Sequence, residues 1–221
     1  SNQVMLKEHF RCVSTIINYC NFYFYDNQIN PLRDDSLSPL KTPIIPIYVK
    51  GYRDRGGPKT NQTSNKKNKE EAEYIVSLIQ ACFNNPAYDD LSFGVISMLG
   101  NQQSEYIYKL LIEKCSPSDI KKHQVICGDA AQFQGDERDV IFLSLVDAHD
   151  VSEKNSMIRR IDKSNLIFAQ RYNVAVSRAK NQLWVLHSMT LEELRSDDIR
   201  NSLLRYCKDY NSQERLIEIS A

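Results

Sequence analysis

The run Gln170-Arg171-Tyr172-Asn173-Val174-Ala175-Val176-Ser177-Arg178-Ala179-Lys180 places two arginines seven residues apart. On a helix that spacing sends Arg171 and Arg178 the same way, while Val174, Ala175 and Ala179 can lie against a sheet. Two guanidinium groups on one face make a phosphate clamp, because each offers oxygen a rigid fork of donors. In phosphoryl transfer such an arginine neutralises charge developing on the transferred group. Pairing with acids of the same domain would satisfy the two groups equally well, and the spacing alone does not choose between these readings. A second segment, Gln132 to Ser144, carries a polar loop with one glycine straight into an apolar strand. Its Gln134 and Glu137 are placed to hydrogen-bond something over the sheet edge; a turn with a salt-bridged rim of Glu137, Arg138 and Asp139 explains them too. A third segment, His9-Phe10-Arg11-Cys12, sets one arginine ahead of an apolar helix, a placement of little weight by itself.

Equally informative is what these residues lack. There is no glycine-rich loop ending in Gly-Lys-Ser/Thr to cradle phosphates, and no Asp-Glu pair behind an apolar strand to hold magnesium. The chain is therefore expected to supply only part of an ATP site. Its six cysteines contain no Cys-x-x-Cys pair, and none of its four histidines joins a cysteine at zinc-finger spacing. No metal site is expected. The cysteines read as small buried hydrophobes of a protein in a reducing, cytoplasmic setting. Charges balance, 28 basic against 28 acidic residues, so net charge neither supports nor excludes a nucleic-acid partner. No apolar stretch approaches the roughly 20 residues of a membrane span, and no membrane partner is expected. The start at Ser1–Asn2, without an initiator methionine, reads as a tag remnant ahead of a piece cut from a longer protein.

The elements that must position these residues alternate. Thr15 to Tyr25 has an apolar stripe near helical period, and Ile44 to Val49 is a short strand whose proline suits a sheet edge. Residues 51–68 are polar and basic, and read as a mobile loop. Beyond them come a helix over Lys69–Phe83, a strand over Phe93–Met98, a helix over Glu105–Cys115, and strands over His123–Cys127 and Val140–Leu145. A helix over Leu166–Ala179 and a strand over Leu183–His187 follow. Thr190, with Glu193 three residues on, marks the start of a final helical region reaching about Tyr210. Apolar strands separated by helices predict an α/β fold with a parallel sheet covered on both faces. Such sheets hold ligands at the carboxyl ends of their strands.

The three segments, in this order, resemble the second RecA-like domain of superfamily 1 helicases, most closely the Upf1/DNA2-type branch. His9-Phe10-Arg11-Cys12 is similar to the family's Gln-Tyr-Arg-Met element, and Phe24-Tyr25 to the aromatic pair after it. Phe133-Gln134-Gly135-Asp136-Glu137 matches its Phe-Gln-Gly-x-Glu element. Arg171 to Ala179 matches its Arg-x-Asn-Val-Ala-x-Thr/Ser-Arg-Ala element in full. Gly94-Val95-Ile96-Ser97 with Gln102 looks like its Gly-Val-Ile-Thr strand with a downstream glutamine. The resemblance spans residues 6–188. It implies that the whole chain, 1–221, is one RecA-like three-layer sandwich with a mostly parallel sheet and no Walker loop of its own. It further implies that Arg11 and Arg178 reach the γ-phosphate of ATP bound, with Mg2+, to an N-terminal RecA-like domain of the same protein. Glu137 would contact the nucleotide sugar, Gln134 and Gly135 would shape the joint to the polymer site, and Arg171 would support the same helix face. Ser97, with Gln102, would meet a backbone phosphate of single-stranded DNA or RNA.

The sequence departs from the family at three places. His9 and Cys12 stand where glutamine and methionine are usual. Asp129 precedes Phe133 where a phosphate-binding threonine is common, and its charge would repel a polymer phosphate. A divergent, non-motor regulatory or nucleic-acid-binding module on the same fold is the alternative reading.

Overall fold

The computed structural model describes residues 8–54, 67–149, 160–162 and 164–220, with side chains beyond 211 and at 53 and 54 excepted. In chain order the elements are β1 (Glu8–His9), α1 (Ser14–Phe24), β2 (Asn30–Pro31), β3 (Ile44–Tyr48), β4 (Arg53–Asp54), β5 (Lys67–Asn68), α2 (Lys69–Phe83), β6 (Phe93–Ser97), α3 (Asn101–Lys114), α4 (Pro117–Lys122), β7 (Ile126–Asp129), β8 (Arg138–Ser144), α5 (Leu166–Val176), β9 (Ala179–His187) and α6 (Ile199–Ser220). Five strands form the central sheet in the order β3-β9-β8-β6-β7, every neighbouring pair parallel.

Period-two alternation in apolar strands sends neighbouring side chains to opposite faces, and two cores result. Ile96, Ile141, Leu143, Leu183 and Val185 face the side covered by α1, α5 and α6, where they meet Ile16, Tyr19, Tyr172, Val176 and Leu203. Phe93, Val95, Val140 and Phe142 face α2 and α3, against Ile75, Val76, Ile79, Ile107 and Leu111. This is an α/β three-layer sandwich with a parallel sheet, consistent with a RecA-like fold, as the alternation of elements predicts. β3 holds Pro46 at one edge of the sheet, where a residue without an N–H is tolerated.

Three expectations about elements are corrected. The helix expected to run through Ala179 ends at Val176, so Ser177 and Arg178 lie in the turn that leads into β9. Thr190 does not open the last helix. Its N–H is bonded by Glu193 Oε2 at 2.7 Å in a capping-box manner, but a short turn intervenes and α6 begins at Ile199. The true start is fixed by Asp198, whose carboxylate accepts the Arg200 backbone N–H at 2.9 Å while the buried Arg200 guanidinium bridges Asp198 and Asp147. Within the segment read as a mobile loop, Arg53–Asp54 and Lys67–Asn68 pair as antiparallel strands and Asn68 is fully buried; residues 55–66 lie outside the described residues.

Candidate functional site

At the amino ends of β8 and β9 three turns meet. The Glu137 turn feeds β8, the Arg178 turn feeds β9, and Arg138 N–H bonds to Arg178 carbonyl at 3.1 Å across them. The third is the His9–Val13 turn ahead of α1. Its Val13 N–H reaches the Lys180 carbonyl at 2.9 Å, and the Cys12 thiol donates to the Ser177 carbonyl at 3.2 Å. His9 Nε2 accepts the Cys12 N–H at 3.1 Å and so closes the turn on itself. Burial, and then the Arg11 charge, hold that imidazole below its ordinary pKa and keep it a neutral acceptor. Burial raises the Cys12 thiol to about 12, which makes it a packing group rather than a reactive one.

These turns bring Arg11, Glu137 and Arg178 into one cluster. Arg11 Nε forms an ion pair with Glu137 Oε2, and both side chains remain about two-fifths open to solvent, at 41% and 39%. Arg178 is half-buried. Burial, then the like charge of Arg11, pull its guanidinium below the ordinary arginine value. Its Nε is buried with no hydrogen-bond partner, and among the described residues no acid forms an ion pair with it. A buried donor without a partner is uncommon because it forfeits its hydration. A guanidinium held this way beside a second one is suited to an anion supplied from outside.

The cluster departs from the sequence reading in two respects. It sits at the amino ends of the strands, not the carboxyl ends, because Glu137 and Arg178 each immediately precede their strand. It also does not rest on a shared helix face. Arg171 is exposed on α5, its guanidinium 5.6 Å from the Phe168 ring centroid. Arg178 has left that helix, so the seven-residue spacing does not align the two, and Arg171 stands apart from the cluster among the described contacts.

Phe133, 1% exposed, anchors the loop that carries Glu137. It packs so near Gly94 that a Cβ there would lie 2.8 Å from its ring. Gln134 and Gly135 are exposed on the following turn, with Gly135 at φ 90°, the left-handed region that glycine enters at little cost. Asp136 pairs with Arg138, whose Nη1 also reaches the Glu137 carbonyl at 2.7 Å. Asp139 accepts from Ser92 N–H and Oγ at 2.9 and 2.6 Å and from Lys180 Nζ at 3.0 Å. Burial pushes its pKa up, but those donors win and hold the carboxylate below the usual range.

The polymer-facing candidates lie at the other end of the sheet, roughly 15 Å away for a five-residue strand. Ser97 and Asp129 are register partners at the carboxyl ends of β6 and β7. Ser97 is 1% exposed and its hydroxyl donates to the Gly100 carbonyl at 2.6 Å, so it is not presented to an outside phosphate in this arrangement. Asp129 Oδ1 accepts the N–H groups of Ala131 and Gln132 at 2.9 and 3.0 Å, which makes it the cap of a local turn. Gln102 is half-buried in the first turn of α3.

Arg33 was not singled out by any motif. It lies in a polar stretch of Asn, Asp and Pro residues, and no local signal marks it; only the fold brings it to the Arg11 turn.

Comparison with known proteins agrees with this architecture. Residues 1–190 match the family described as "AAA domain". The chain is 28% identical over 219 residues to "Helicase sen1" of Schizosaccharomyces pombe, an alignment covering 92% of this chain and 12% of that protein. It is 26% identical over 217 residues to "Putative helicase mov-10-B.1" of Danio rerio, covering 91% of this chain and 21% of that protein. The chain thus spans about an eighth to a fifth of these relatives. The match over most of its length, on a parallel three-layer sandwich, places the chain in the AAA-domain family, as a RecA-like domain distantly related to superfamily 1 helicases.

Proposed function

We propose that this chain acts as the second motor domain of an ATP-dependent helicase or translocase of the Upf1/DNA2-like branch. A partner RecA-like domain of the same protein holds ATP and Mg2+ and supplies the Walker loop. This chain supplies Arg11 and Arg178 to the γ-phosphate. The observation that carries the reading is the convergence of those two guanidinium groups on one solvent-facing edge, with Arg178 claimed by no acid among the described residues.

Function follows from that geometry. A phosphate arriving beside the guanidinium groups would be met by Arg178 and would draw Arg11 toward it. Glu137, released from Arg11, is then free to accept a sugar hydroxyl of the nucleotide. Charge that grows on the phosphoryl oxygens in the transition state would be met by positive groups brought into place when the phosphate binds. Loss of the γ-phosphate removes what the arginines hold, and the two domains separate. Repeated closing and opening would ratchet a single strand of DNA or RNA along the carboxyl edge, near Gln102.

In the complete protein Arg178→Ala should lower kcat by about 10²–10³-fold while nucleotide binding is largely retained, because the lost interaction belongs mainly to the transition state. Steady-state ATPase kinetics with a nucleotide-binding titration check this, and turnover equal to the parent would sink the finger role.

A second reading is a non-motor module on the same fold. The specific observation in its favour is the carboxyl edge, where the Ser97 hydroxyl is committed to Gly100 and Asp129 adds a negative charge. ATPase rates with and without single-stranded DNA and RNA separate the two readings. Strong stimulation by either polymer supports the motor, and none supports the module.

A further inference from the structure

Arg33 is half-buried just after β2, beside the His9–Val13 turn, and its guanidinium bonds to that turn and to the start of β9. Nη1 donates to the Arg11 carbonyl at 2.8 Å and to the Lys180 carbonyl at 2.6 Å. Nη2 donates to Asn181 Oδ1, and Asn181 Nδ2 passes the connection on to Asp139 Oδ1 at 3.1 Å. Asp139 in turn lies two residues after Glu137. One planar fork therefore ties the Arg11 turn to the first residues of β9, which follow Arg178, and through Asn181 it reaches Asp139 in β8. A guanidinium is suited to this, since its donors leave separate nitrogens at fixed angles, whereas the three donors of an ammonium all leave one nitrogen.

This arrangement also meets an electrostatic problem. Arg11 and Arg178 carry like charge and repel, and Arg178 is already desolvated. The Arg11 turn is joined to β9 by the Val13–Lys180 backbone bond, and to the turn before β9 by the Cys12 thiol. Without a further tie the turn would relax outward and carry Arg11 from Arg178. We propose that Arg33 is a positioning residue for Arg11, fixing the backbone of its turn against the start of β9 so that the two guanidinium groups are held ready for one phosphate. The proposal rests on the phosphate-facing role of Arg11 given above. Arg33 acts in this proposal through the carbonyl and amide oxygens it bonds, not as a contact to substrate.

The test is a double-mutant cycle on ATPase activity in the complete protein. Arg33→Ala should lower kcat by about 10- to 10²-fold, the scale of a misplaced catalytic group, with KM for ATP changed little. Arg33→Lys should recover only a small part, for want of the fork. In an Arg11→Ala background, Arg33→Ala should cause no further loss, since a positioning residue has nothing left to position. Asn181→Ala, which trims one end of the tie and leaves the Arg33 charge, should show a smaller loss that also vanishes in that background. It decides the matter if Arg33→Ala fails to fold. Should Arg11→Ala itself leave turnover unchanged, the motor reading falls. Should Arg11→Ala reduce turnover while Arg33→Ala and Asn181→Ala do not, or should the losses multiply independently, the positioning role is overturned and the motor reading stands.

Discussion

The ion pair between Arg11 and Glu137 is open to solvent on both sides, and exposed pairs contribute only about 0–1 kcal/mol. That weakness suits the proposed role, in which both partners would exchange one another for a ligand at small cost. What holds Glu137 in reach is the turn before it. Gly135 sits at φ 90°, and a Cβ there would meet nothing within 4 Å. Substitution is thus a backbone problem and not a packing one. Gly135→Ala should cost about 1–2 kcal/mol of stability, read by urea denaturation of this chain, and should lower ATP turnover of the complete protein by displacing Glu137. A wild-type midpoint in the variant would show that the turn adapts freely.

Between elements, the most demanding group is Glu71 in the first turn of α2. It is wholly buried, and its Oε1 accepts Ser144 Oγ at 2.5 Å and the Val146 N–H at 3.0 Å. Asn68 caps the same helix, and Gln103 of α3 bonds both the Asn68 backbone N–H and carbonyl at 2.9 Å. One carboxyl thereby ties α2 to the end of β8, and its cap extends the tie to α3. Burial raises its pKa to about 7, against the opposing hydrogen bonds from Ser144 and Val146. The native state consequently binds more protons than the unfolded chain between about pH 4.5 and 7. The full contribution is present below the unfolded pKa and declines as pH rises through the folded one. The loss is on the order of 3 kcal/mol by pH 8. Glu71→Gln, which keeps an acceptor and cannot ionise, should flatten that fall. Thermal melts of both proteins from pH 5 to 8 test it, and parallel curves would rule out Glu71 as the cause.

For the molecule as a whole, the arginine cluster lies at one end of the parallel sheet and Ser97 and Asp129 at the other. In the proposed motor, a rigid sheet would move both ends together when the arginine end closes on nucleotide. On the proposed reading this chain should not turn over ATP alone, since its sequence has no Walker loop to hold the phosphates. Phosphate release by the purified 221-residue chain should stay at background with ATP and Mg2+ present. Specific turnover that is lost with Arg178→Ala would contradict the half-site arrangement.

The alternation of apolar strands and amphipathic helices determined the fold class, because burial on both faces of a sheet leaves a period that can be read locally. Motif wording likewise marked Arg11, Glu137 and Arg178, since each stands beside residues whose spacing is set by a turn or a strand start. What the sequence by itself left open was their geometry. The end of α5 at Val176 breaks the helical alignment of Arg171 with Arg178, and strand direction places the cluster at the amino edge. Arg33 carries no local signature, and the one Glu71 has, its place three residues after the cap Asn68, marks a helix start and not a buried tie to β8. Their partners lie as much as 148 residues away for Arg33 and 117 for Glu71, and a hydrogen bond across such a distance in the chain is decided only when the sheet brings its two ends together.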